Sequence, residues 1–151
     1  MHRHAEKRVL AHTAEQMFDM VVDVNKYPEF LPWCVGARIF KREENLIHAD
    51  LLIGYKVIRE KFTSKVTYER PGSIEVTYLG GPLKHLHNHW DFHANEDGSC
   101  TVDFLVEFEF VSSLFERMIG GVFDEIVHRM VGAFVERADV LYGSEKRIHK
   151  L

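Results

Sequence analysis

From residue 35 onward, apolar and polar positions alternate with a period of two, the pattern of a sheet with one dry face and one wet face. Ile47, Ala49, Leu51, Ile53 and Tyr55 share one phase against His48, Asp50 and Leu52. Ile58, Phe62, Val66 and Tyr68 alternate with Arg59, Lys61, Lys65 and Thr67, and Ile74, Val76 and Tyr78 form a shorter set. Val102, Phe104, Val106, Phe108 and Phe110 alternate with Asp103, Glu107 and Glu109. The breaks carry turn chemistry: Glu43-Glu44-Asn45, Arg70-Pro71-Gly72, Gly80-Gly81-Pro82 and Asp97-Gly98. Such short breaks predict antiparallel hairpins.

The two ends of the chain follow different patterns. Arg3 to Ala11 is short and mixed and reads as a first strand. Thr13 and Gln16 have capping-box spacing ahead of the apolar face Met17, Phe18, Val21 and Val22, which predicts a helix. In NKYPEFLPWC (25–34), Pro28 and Pro32 limit the chain to short helical turns. After Val111 the period becomes helical again. Ser113 and Glu116 repeat the capping-box spacing, and an apolar stripe from Phe115 to Ala138 includes Met118, Val122, Met130 and Phe134. This predicts one long helix ending near Gly143, bent at Gly120-Gly121. The expected organisation is one domain over residues 1–143 and a short basic tail at 144–151. A flat sheet cannot cover a long apolar helix, so the sheet must curl around it, and that shape tends to leave an internal cavity.

Composition narrows the function classes. The chain has 151 residues, of which 46% are hydrophobic and 28% charged, with a formal net charge of −4. Those values suit a globular domain and exclude nucleic-acid binding by bulk charge, leaving only a local basic patch. No apolar run approaches the roughly 18–20 residues of a membrane span. The first ten residues have no apolar stretch and include Glu6, which predicts neither a secretory signal nor a mitochondrial presequence. Cys34 and Cys100 form no C-x-x-C motif and are expected to be buried thiols in a cytoplasmic protein.

Candidate chemistry is sparse. His85, His87, His89 and His93, with Asp91, fall on the wet face of one strand, while Leu86, Trp90 and Phe92 fall on the dry face. The histidine row fits a solvated polar face; alternatively, a metal could use it. Glu60 is in phase with Ile58 and Phe62, so it either faces the cavity or sits at a strand end. Asn88, Ser64 and Tyr78 also point toward the dry side. Polar groups converging in an apolar cavity suit a ligand with a polar head and a greasy body. No nucleophile elbow, Walker loop or dinucleotide fingerprint is present in the sequence. Phe30, Leu31 and Trp33 form either an exposed portal that can touch a membrane or a plug folded back on the core.

The block YPEFLPWC (27–34), followed by Gly81-Pro82-Leu83, Trp90, Phe92, the Val102–Phe110 alternation and AFVERA (133–138), resembles the coenzyme Q-binding proteins of the START-like superfamily. That superfamily also holds polyketide cyclase/dehydrase proteins and the bacterial ribosome-association toxin RatA. The resemblance implies an α+β helix-grip fold, with a curved antiparallel sheet wrapped around the C-terminal helix and a hydrophobic tunnel between them. It implies non-catalytic carriage of ubiquinone or a similar isoprenoid lipid in support of respiration, with no cofactor and no catalytic or metal-ligating residue. Lacking a presequence, the chain resembles a bacterial member, cytoplasmic or peripheral to the inner membrane. Phe30, Leu31 and Trp33 match the family block near the tunnel mouth, and Trp90 matches the sheet tryptophan. Leu51, Ile53, Glu60, Phe62, Tyr78, Asn88, Phe104 and Phe108 are expected on the tunnel wall, with Met118, Val122, Met130 and Phe134 on its helical floor. A hydrophobic ligand and transient membrane contact, aided by Lys146, Arg147 and Lys150, are the expected interactions. The alternatives are ribosome contact and a cyclase-like enzyme using Glu60.

Overall fold

Seven strands in the order β1-β7-β6-β5-β4-β3-β2 make one antiparallel sheet. The computed structural model describes residues 2–143, so the 144–151 tail and its three basic residues lie outside the described residues. The strands are β1 His2–Leu10, β2 Cys34–Glu43, β3 Leu46–Tyr55, β4 Ile58–Glu69, β5 Ser73–Gly80, β6 Leu83–Ala94 and β7 Cys100–Phe110. Helix α1 (Ala14–Val22) and a 3₁₀ helix (Val24–Glu29) separate β1 from β2, and α2 (Ser113–Gly120) and α3 (Phe123–Tyr142) follow β7. Register shifts in β2–β3, β4–β5 and β6–β7 let the sheet curl around α3.

Local signals account for several boundaries. The Thr13 hydroxyl accepts from Gln16 N–H (3.1 Å) and the Gln16 side chain accepts from Thr13 N–H (3.0 Å), closing the capping box. At α2 the cap lies one residue earlier than the spacing predicts: Ser112 Oγ accepts from Leu114 N–H at 3.2 Å. The long C-terminal helix is two helices, because the chain breaks at Gly120-Gly121 and restarts after Val122. Adjacent glycines are poor helix formers. The β3–β4 turn, Lys56-Val57, carries no Gly, Pro or Asn. Lys56 takes a left-handed conformation (φ 55°), and Arg59 Nη1 donates to Lys56 O and Ile58 O at 2.9 and 2.8 Å.

The densest core joins α1 to the sheet: Met17, Phe18, Phe92, Cys100 and Ala138 are buried. Both cysteines are free, and burial pushes both thiols up. Edge strand β1 turns a polar row, His2, His4, Glu6 and Arg8, toward the interior side. His4 Nε2 and Arg8 Nε donate to Glu6 at 2.8 and 2.6 Å. Burial opposes the Glu6 charge, but these two partners outweigh it and hold its carboxyl below the usual range.

On the outer face, Glu75 accepts from both His87 and His89, and His89 Nε2 donates to Asp91 at 2.9 Å. Burial works against both charges. The hydrogen bonds prevail, lowering the Glu75 carboxyl and raising the His89 imidazolium. The Glu75 contribution to stability is present above its ordinary value of 4.5 and is lost as pH falls through its lowered folded value. The His89 contribution is present below 6.5 and is lost as pH rises through its raised folded value. Stability from this pair is therefore greatest between the two ordinary values. We expect the urea midpoint to decline from pH 6 to 9, with a smaller decline in Glu75→Gln; equal declines would assign the pH dependence elsewhere.

Candidate functional site

A cavity of about 320 Å³ lies between the inner face of the sheet and α3. Its wall includes Leu51 and Ile53 of β3, Phe62 of β4, Asn88 and Trp90 of β6, and Phe104 and Phe108 of β7. Ile119, Phe123, Ile126, Met130 and Phe134 supply the helical side. Strand periodicity explains the composition, because alternate residues of a curled sheet share its concave face. The α1 core seals the deep end, where Val21, Val24 and Ile74 meet the wall. At the other end the lining residues Trp33, Tyr55 and Phe110 are half-buried and form the mouth. Trp33 and Tyr55 meet edge to face at 5.5 Å. Trp33 has φ 66°, a costly conformation for a bulky side chain, and its carbonyl accepts from Gly54 N–H at 2.8 Å.

Trp90 is the hub of the wall. Its ring contacts Phe104 at 4.6 Å, Phe134 at 5.2 Å and Phe92 at 6.1 Å. Its Nε1–H donates to Asn88 Oδ1 at 3.1 Å, while Asn88 Nδ2 donates to Leu105 O at 2.9 Å. Asn88 thus holds the tryptophan and the backbone from within the cavity wall. Ser64 also lines the cavity, and its hydroxyl has no partner among the described residues. Tyr27 donates to Val21 O; burial, reinforced by Cys34 and Asp23, pushes its phenol well above the ordinary range and keeps it neutral.

Eleven of the sixteen expected residues line the cavity: Leu31, Trp33, Leu51, Ile53, Phe62, Asn88, Trp90, Phe104, Phe108, Met130 and Phe134. Five lie off its wall. Phe30 folds back against Phe134 at 5.3 Å and under the Arg137 guanidinium at 5.1 Å, and Arg137 donates to Glu29 at 2.9 Å. With Leu31 only 5% exposed, this part of the block is a plug, and only Trp33 reaches the mouth. Glu60, opposite Ile53 in the register, is half-buried two residues from the β3–β4 turn, beyond the wall. Tyr78 turns toward the β5–β6 turn, where its Oη accepts from Leu83 N–H at 2.9 Å and crowds Gly81 (φ 145°). Met118 and Val122 lie off the wall, where Ile119 and Phe123 continue the i, i+3/i+4 spacing of Ile126, Met130 and Phe134 instead.

Sequence reasoning missed Tyr55, Phe110, Ile119 and Ile126 as wall residues, although the alternation and the apolar stripe contained the signal for each. On the outer face, His85, His87 and His89 pair with Glu107, Glu75 and Asp91. Among the described residues, no three His, Cys, Asp or Glu groups come together to hold a metal ion. No described helix is long and apolar enough to cross a membrane.

Comparison with known proteins places this geometry. A family model described as polyketide cyclase / dehydrase and lipid transport matches residues 10–135. The ribosome association toxin RatA of Pseudomonas aeruginosa is 33% identical over 135 residues, 89% of this chain and 94% of that protein. The mitochondrial coenzyme Q-binding protein COQ10 homolog B of Xenopus laevis is 33% identical over 147 residues, 95% of this chain and 60% of that protein. Among solved structures, an 18 kDa protein of Caulobacter crescentus matches with a TM-score of 0.75 and 35% identity, covering 95% of this chain and 100% of that one. The Zhui aromatase/cyclase of Streptomyces sp. R1128 matches with a TM-score of 0.77 at 14% identity, covering 91% and 93%, which is a likeness of fold alone.

Proposed function

The chain belongs to the polyketide cyclase / dehydrase and lipid transport family, and from that premise we propose that it binds ubiquinone or a similar isoprenoid lipid in its tunnel as a non-catalytic carrier. The observation that carries this reading is the apolar cavity of about 320 Å³ between sheet and α3. Each methylene-sized unit buried there contributes about 0.8 kcal/mol, so an isoprenoid segment supplies the affinity. The Ser64 hydroxyl and the free capacity of Asn88 offer hydrogen bonds to a polar head group midway along the wall. The similarity to a named coenzyme Q-binding protein supports the ligand class.

Among the described residues the wall contains no carboxylate, imidazole or thiol, and Glu60 stands off it, which leaves a cyclase-like reaction without the acid expected for it. Ribosome association is the second reading, supported by the similarity to proteins named RatA. The test is to purify untagged protein from cells that make ubiquinone, extract it with organic solvent and identify the extract by mass spectrometry. Near-stoichiometric quinone or polyprenyl lipid is the expected result. Well-folded protein with an extract free of isoprenoid, together with salt-dependent co-sedimentation with ribosomal subunits, would favour the second reading.

A further inference from the structure

The two ends of the sheet differ in chemistry. One end gathers the turns at residues 43–46, 69–73 and 94–100, where Glu43, Glu44, Glu69, Glu96 and Asp97 are exposed. The other gathers the β3–β4 hairpin at residues 55–58, the β5–β6 turn at 80–83 and the link from β7 into α2. The pairings Tyr55↔Ile58, Thr63↔Gly80 and Leu83↔Phe110 put these three side by side. Val111 N–H also donates to Pro82 O at 3.4 Å. The half-buried lining residues Trp33, Tyr55 and Phe110 stand at this second end.

Large apolar side chains stand in solvent around that mouth: Val57 is 89% exposed, Val111 71% and Leu114 62%. Lys56, Arg59 and Arg117 are exposed beside them. Glu109 lies near Lys84 at 3.9 Å, Glu116 pairs with His2 and Glu125 with Arg129, which leaves Glu60 and Asp124 as the carboxylates without a basic partner there among the described residues. Cations interleaved with exposed apolar groups match the interface of an anionic bilayer, which offers phosphate at its surface and hydrocarbon beneath. A nucleic-acid backbone would use the cations but gain nothing from Val57 or Leu114.

We infer that this end of the molecule docks on an anionic lipid bilayer, with the β3–β4 hairpin tip and the start of α2 in the headgroup layer and the tunnel mouth facing the membrane. The inference rests in part on the carrier reading. A cavity of about 320 Å³ is at the small end of ligand sites, which span about 300–1,000 Å³, so a long polyprenyl tail must extend through the mouth. A docked mouth keeps that protruding tail in hydrocarbon. Of the YPEFLPWC block only Trp33 reaches this surface, while Phe30 and Leu31 are folded inward.

The test is flotation with vesicles of phosphatidylcholine and phosphatidylglycerol, compared with vesicles of phosphatidylcholine alone. Wild-type protein is expected to float with the anionic vesicles. Lys56→Glu, and Val57→Asp combined with Leu114→Asp, are each expected to weaken binding about tenfold or more. Val9→Asp, at an equally exposed apolar residue on β1 away from the mouth (67% exposed), is expected to change nothing. Absence of flotation by folded wild-type protein, or an equal loss in Val9→Asp, overturns the docking surface. Binding to ribosomal subunits through Lys56 with no flotation overturns it in favour of an RNA surface. Solvent extracts of the same samples separate this result from the carrier reading. Lipid retained without flotation removes only the docking surface, and flotation without isoprenoid removes only the carrier.

Discussion

Replacing Trp90 by alanine is expected to lower the unfolding free energy by about 3–5 kcal/mol, the range for truncating a buried aromatic residue. For a domain of this size that corresponds to a drop in melting temperature of roughly 6–20 °C. Three aromatic partners, Phe92, Phe104 and Phe134, lose their common neighbour, and Asn88 Oδ1 loses its donor. Trp90 also separates the main cavity from a second space of about 20 Å³ lined by Glu6, Arg8 and Phe134. Without the indole the two spaces join beside a charged pair, so neither collapse nor dry enlargement fills the gap at low cost. Trp90→Phe keeps a ring in place and is expected to lose less than half as much. Thermal melts of the three proteins check this, and a loss below about 1 kcal/mol for alanine would show that the wall relaxes around the vacancy.

Leu51→Lys is expected to deplete co-purified isoprenoid by about a hundredfold or more, because an ammonium in an apolar cavity costs several kcal/mol. Leu51 lies four residues from the Tyr55 end of β3, roughly 13 Å at about 3.3 Å per residue, too far for lysine to bring its charge out at the mouth. The matched control is one residue away. Leu52 points to the outer face, where it is 41% exposed opposite Lys61, so Leu52→Lys is expected to retain wild-type lipid content. Lipid content is read from solvent extracts of variants whose circular dichroism matches the parent. Equal depletion in both variants would mean that the lipid is not held on the inner face.

What the chain determines by itself is the set of properties read over a few residues. The alternation in β3, β4 and β7 sorted Leu51, Ile53, Phe62, Phe104 and Phe108 onto the concave face, because a strand's side-chain period is a local property. The Thr13–Gln16 capping box is equally local, and so are the turn residues between most strands. The helix-grip architecture was legible from the order of these elements.

Tertiary structure decided how far along each element the cavity extends. Glu60 has the right phase but stands beyond the wall, and Tyr78 has the right phase but is claimed by the Leu83 amide. On the C-terminal stripe the wall takes Ile119 and Phe123 rather than Met118 and Val122, since the apolar stripe is wider than the face that the closed sheet covers. The Lys56-Val57 hairpin had no turn signal of its own and depends on the guanidinium of Arg59. Phase depends on the residue and its immediate neighbours. Position along the tunnel depends on contacts between segments far apart in the chain, and those exist only once the sheet has closed around α3.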